Sequence, residues 1–81
     1  MDEINNEITD RMERAKARYG KFASTHEAIG VALEEWDELK DAVRSNRLAS
    51  IEYECMDLAA VLVRLASQIR EQNYVWERSQ K

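Results

Sequence analysis

The sequence predicts an all-α protein, and three observations carry the prediction. Among 81 residues there is no Pro and only two Gly, Gly20 and Gly30, while the strong helix formers Ala, Leu, Glu, Arg and Met dominate. Apolar residues recur every three or four positions through three segments, the period of an amphipathic helix. Polar breaks around Gly20 and at "SNR" (45–47) separate these segments. The expected architecture is one domain, residues 1–81, made of an N-terminal helix and an antiparallel helical hairpin. A chain this short buries only about 60% of the surface it exposes when unfolded. Self-association into a four-helix-bundle dimer or tetramer is therefore expected, two hairpins covering each other's apolar faces.

The first helix is read from Ile4, Ile8, Met12, Ala15, Tyr19 and Phe22, a stripe by which it should pack. The pattern breaks at Gly20, and "STHE" then sets Ser24 three residues before Glu27, the spacing of a capping box. The second helix starts there, with Ala28, Ala32, Trp36, Leu39 and Val43 as its expected buried face and Ile29 and Leu33 beside it. Trp36 lies about 160° around the axis from Glu38, which assigns it to the core. Ser45 or Asn46 is the expected cap of the third helix. That helix should bury Cys55, Leu58, Ala59, Leu62, Ala66 and Ile69, with Val61 and Leu65 widening the face beyond what one partner helix covers. Cys55 is expected to be an inert core thiol. Periodicity leaves the tail "REQNYVWERSQK" open, with Tyr74 and Trp76 expected to be covered in a dimer.

Composition excludes several function classes. The net charge is −4, and residues 26–57 hold 9 acidic and 3 basic side chains, a local −6. Such a middle repels a nucleic-acid backbone and attracts cations. One cysteine makes no internal disulfide, no residue set suits zinc, and the reading points to a reducing cytoplasm. The start "MDEINNEITD" lacks the basic flank and apolar run of a signal peptide, and no segment approaches the ~20 apolar residues of a membrane span. A soluble protein with no membrane partner is expected.

The acids of the middle segment have an order. In an antiparallel hairpin, facing residues have position numbers with a constant sum; Glu35 with Asp57, and Glu38 with Glu54, share one sum, centred on Asn46. Each ExxE or ExxD pair is about 60° apart on its own helix, so the pairs can face each other across the seam. Four carboxylates gathered without a basic partner would repel strongly unless a cation sat among them. All-oxygen ligation suits a hard ion, so Mg²⁺, or Mn²⁺ in its place, is expected on Glu35, Glu38, Glu54 and Asp57. Asp57 is the only charged residue between Cys55 and Val63. In that apolar setting it needs a partner or a metal.

The order Glu34-Glu35-x-x-Glu38, fifteen residues, then Glu54-x-x-Asp57 resembles the EExxE…ExxD signature of the MazG-like all-α nucleoside triphosphate pyrophosphohydrolases. The flanking "YGKFASTHEAIGVALEEWDEL" and "IEYECMDLAAVLVRLA" resemble the short phage and mobile-element members, over residues 19 to 66 or so. The resemblance implies a Mg²⁺-dependent hydrolysis of the α–β phosphoanhydride of a nucleoside triphosphate, with a homodimer or homotetramer as the working form. Glu34, about 40° from Glu38 on the wheel, is the candidate to orient or deprotonate the attacking water; Arg64, seven residues after Asp57 and so on nearly the same side of the helix, is with Lys21 and Tyr53 a candidate substrate contact, Arg18 beside them. Longer members of that family carry substrate-contacting Lys and Asn on a further helix; here those contacts are expected from a second subunit. The competing class is a non-catalytic helical oligomerisation or adaptor module whose acids only keep it soluble, with His26 a plain surface residue.

Overall fold

A computed structural model describes residues 2–72 of the chain. It contains three helices, α1 (Asp2–Tyr19), α2 (Thr25–Ser45) and α3 (Leu48–Glu71), and no strand among the described residues. Tyr74 and Trp76 lie outside the described residues.

Local chemistry sets the helix ends. Gly20, at φ +74°, ends α1, and its N–H donates to the Lys16 carbonyl at 2.9 Å; this left-handed conformation is where glycine costs least. Ser24 caps α2 as its spacing predicts: its Oγ accepts from the Glu27 N–H at 3.1 Å. The Glu27 carboxylate in turn accepts from the Ala23 N–H at 3.0 Å, one residue outside the usual box. The second turn corrects an expectation. Asn46 stands at φ 55° and ψ 36° and closes α2; its N–H donates to Val43 O, while Arg47 N–H donates to Ala42 O. These two bonds make a Schellman turn. Asn46 is thus spent on the end of α2, and α3 begins at Arg47 without a side-chain cap.

Both α1 and α2 pack along α3 and scarcely on each other. α1 runs beside α3 in the same sense, with Arg11 against Asp57 and Lys16 against Glu71, and α2 returns antiparallel. The α2–α3 seam is built on small residues. Ala28, Ala42 and Ala60 are buried and let the backbones approach closely, and Phe22 fills the space under the α1–α2 loop.

Two polar side chains complete this core. Gln68, 4% exposed, accepts from Phe22 N–H and donates to Phe22 O, each at 2.8 Å. Arg64, 6% exposed, donates to Gly20 O at 2.8 Å and lies over the Phe22 ring at 3.8 Å. One turn apart on α3, they pin the loop that joins the other two helices.

The buried faces therefore differ from the expected ones. On α3 the fully buried positions are Ala60, Arg64 and Gln68, nearly opposite Leu62 on the wheel. Cys55, Leu62 and Ala66 are exposed. On α2 the heptad Ala28–Glu35–Ala42 faces inward, and Trp36 is 46% exposed, with Ile29, Leu33 and Val43 exposed beside it. Ile4 and Tyr19 of α1 are exposed as well. The physical reason is the loop clamp: it sets α3 so that its polar Arg64–Gln68 edge meets the chain, and the longer apolar rows are not covered by the described residues.

Loss of the clamp should be expensive. Gln68→Ala leaves the Phe22 N–H and C=O buried without partners and should cost about 2–3 kcal/mol, read as a shifted urea midpoint. Gly20→Ala meets no neighbouring atom within 4 Å, so only the left-handed backbone penalty of about 1 kcal/mol applies. Equal destabilisation by the two substitutions would refute this ordering.

Candidate metal centre

α2 and α3 bring Glu35, Glu38 and Glu54 together. One carboxylate oxygen from each lies within 4.8 Å of the others, at the height where the hairpin register pairs residues 38 and 54. Glu38 is exposed, while Glu35 and Glu54 are half-buried. One oxygen of each half-buried carboxylate, Glu35 Oε2 and Glu54 Oε2, is buried without a hydrogen-bond partner among the described residues. Orphaned carboxylate oxygens are costly in a protein interior and are the donors a hard divalent cation takes. The residues present therefore fit a metal of the Mg²⁺ type.

Crowding shows in the protonation of the acids. Burial, then the charges of Glu38, Asp57 and Glu54, pushes the Glu35 carboxyl from its usual 4.5 up to about 7. Glu54 is raised as well, first by burial and then by sharing a hydrogen bond with Glu38, with the Glu38 and Asp57 charges adding and Arg11 opposing.

Asp57 stands apart from the trio. Its Oδ1 accepts from Arg11 Nη1 at 2.7 Å, while Arg11 Nη2 binds Glu7 at 2.7 Å. The same guanidinium bonds the Tyr53 carbonyl at 2.9 Å and lies over the Tyr53 ring at 4.2 Å. A basic partner thus does reach the acidic group, from α1, a helix whose register with α3 has no signature in the sequence. Charge-assisted pairing to Arg11 is what allows Asp57 its apolar surroundings.

Because α1 and α2 flank α3 without meeting, a groove of about 820 Å³ opens between them. Its lining places the other candidate residues. Glu34, Tyr53 and Arg64 line it, together with Glu35 and Asp57. Lys21 does not; it borders a small crevice of about 10 Å³ beside Ser67 and Gln68. Arg64 reaches the groove as a buried side chain and not as the exposed cation its spacing from Asp57 suggested. Burial pushes its guanidinium down from the ordinary value, against the pull of Glu27 and Tyr19, and its Nε has no partner. His26 is exposed. Reading the sequence missed Arg11 and Arg14. Their spacing from Arg18, at i, i+3 and i+7, was the available signal for one cationic face.

The raised carboxyls make stability depend on pH. A folded chain holding protons that the unfolded chain releases is favoured fully below about 4.5 and loses that advantage as pH rises toward about 7. In EDTA, the melting temperature should fall over this window, and Glu35→Gln should flatten the fall. Solvent screening at a half-buried site limits the gain at pH 8 to about 1 kcal/mol, ~4–8 °C for a domain of this size. An unchanged pH slope in the variant would show that the acids do not interact. In comparisons with protein-family models, curated proteins and solved structures, none matches this chain.

Proposed function

We propose that the chain is a Mg²⁺-dependent nucleoside triphosphate pyrophosphohydrolase of MazG-like type, yielding nucleoside monophosphate and pyrophosphate. The observation that carries this reading is the Glu35–Glu38–Glu54 cluster, with two orphaned buried oxygens, opening beside a groove that also holds cationic side chains. Glu35, Glu38 and Glu54 would hold the metal, and Asp57 would join them by exchanging its bond to Arg11. A divalent ion held by these residues would supply charge neutralisation for the triphosphate oxygens and activation of the attacking water.

The chain's own residues supply the rest. Glu34, exposed on the groove wall one residue from the cluster, takes the proton as water oxygen bonds to the α-phosphorus and the bond to the bridging oxygen breaks. Tyr53, more than half exposed on the groove, offers a ring face to a base. The exposed apolar rows on the hairpin, Ile29, Leu33, Trp36 and Val43 on α2 and Leu48 and Leu62 on α3, support a working form in which a second copy covers them as a four-helix bundle. A non-catalytic adaptor would share those rows, but it has no use for orphaned carboxylate oxygens.

Mg²⁺ should raise the melting temperature of the wild type, by about 2.7 kcal/mol of linkage at a hundredfold excess over Kd. Glu38→Gln should abolish that shift. A screen of NTPs and dNTPs should release pyrophosphate from the wild type and not from the variant. Orthophosphate as first product would show that a different bond is cleaved, and a variant that still responds to Mg²⁺ would remove the metal role.

A further inference from the structure

The groove separates charge by wall. Its carboxylates come from α2 and α3, while Arg11, Arg14 and Arg18 come from α1. Spaced i, i+3 and i+7, the three arginines lie along one face over about 10.5 Å. Only Arg11 is neutralised, by Glu7 and Asp57. Among the described residues neither Arg14 nor Arg18 enters an ion pair. Arg14 Nε donates to the Asp10 carbonyl at 3.4 Å, and the Arg18 guanidinium lies 5.3 Å from the Tyr19 ring centre.

A second observation points to an anion. Arg64, on the floor of the same groove, is a buried guanidinium that makes no ion pair among the described residues; one nitrogen donates to the Gly20 carbonyl, Nε has no partner there, and Glu27 of the groove acts on it only beyond ion-pair distance. A buried cation without a counter-charge is destabilising unless a ligand supplies one. Simple anions would meet repulsion from Glu34, Glu35 and Asp57 across the groove. A metal-chelated polyphosphate satisfies both walls, since it offers its cation to the carboxylates and its excess anionic oxygens to the guanidiniums, which bind phosphate in fork geometry.

We infer that Arg14 and Arg18 of α1, with Arg64 beneath them, form the wall that binds the phosphate chain of a metal–polyphosphate ligand. The inference rests on the nucleotide reading and adds the residues that seat the triphosphate: α1 of the same protomer supplies cations that the resemblance led one to expect from a second subunit. Arg14 and Arg18 act as binding residues for the phosphate chain and take no proton in the reaction.

The test uses inorganic tripolyphosphate, which has no base, titrated by calorimetry into the full chain in excess Mg²⁺. Arg14 and Arg18 are exposed, so the R14Q/R18Q variant should keep the wild-type circular dichroism and melting temperature. It is expected to bind tripolyphosphate at least ~10-fold more weakly, the loss of two charge-assisted contacts, with a reduced salt dependence. Its binding of Mn²⁺ alone, followed by water-proton relaxation, should be unchanged or tighter. Affinity for tripolyphosphate within twofold of wild type would overturn the wall, as would a wild type that does not bind tripolyphosphate, or one that prefers a single-stranded oligonucleotide. Failure of both proteins to bind Mn²⁺ would instead strike the carboxylate site, which keeps the two readings separable.

Discussion

Two side chains of α3 organise the molecule. Gln68 closes both backbone bonds of Phe22, and Arg64 holds Gly20 while stacking on the Phe22 ring. Through these contacts the loop between α1 and α2 is fastened to the side of α3, so the two helices are held on either flank of it without packing together. The groove exists because of that separation, and so does the reach of Arg11 from α1 to Asp57. Buried polar contacts are costly when incomplete and specific when complete. Here they fix one arrangement of three helices whose apolar core alone, mostly alanine, would specify little.

Electrostatics supply the second constraint. Burial, with the charges that helix register brings beside them, raises the pKa of Glu35 and Glu54 and stores repulsion in the hairpin. Part of that repulsion is relieved inside the protomer, since Arg11 takes Asp57. The remainder stays on Glu35 and Glu54, each of which keeps one buried oxygen with no hydrogen-bond partner among the described residues. Opposite them, Arg14 and Arg18, which enter no ion pair among the described residues, face the same groove. Complementary excesses held apart at one opening are a costly arrangement for a structural domain and a suitable one for a ligand carrying both signs.

How much of this could be read from the sequence depends on the range of the interaction. Composition and period fix three helices, Ser24 with Glu27 fixes the start of α2, and the constant-sum register brings Glu35 and Glu38 to Glu54, because each depends on neighbours along one helix or across one short turn. Periodicity failed at the rotation of each helix about its axis. Leu62 and Trp36 lie on the more apolar rows and were assigned inward, yet the face that turns inward carries Arg64, Gln68 and the alanines. Hydrophobic pattern identifies an apolar face but not the partner that covers it, and in a chain this small the longer rows are left for another surface.

By itself, then, the sequence determined the helical class, the start of α2, the turn near residue 46, and an expected meeting of four acids from two helices of which three come together, all consequences of 3.6-residue geometry and short connections. Tertiary structure alone decided that Asn46 ends a helix instead of starting one, that Asp57 answers to Arg11, that Arg64 is buried, and that Arg14 and Arg18 face the acids across a groove. Asn46 is settled by the local bonds of its own turn; the other three rest on where α1 lies against α3, forty or more residues away in the chain. That placement is set by a few side-chain-to-backbone hydrogen bonds, which leave no periodic trace.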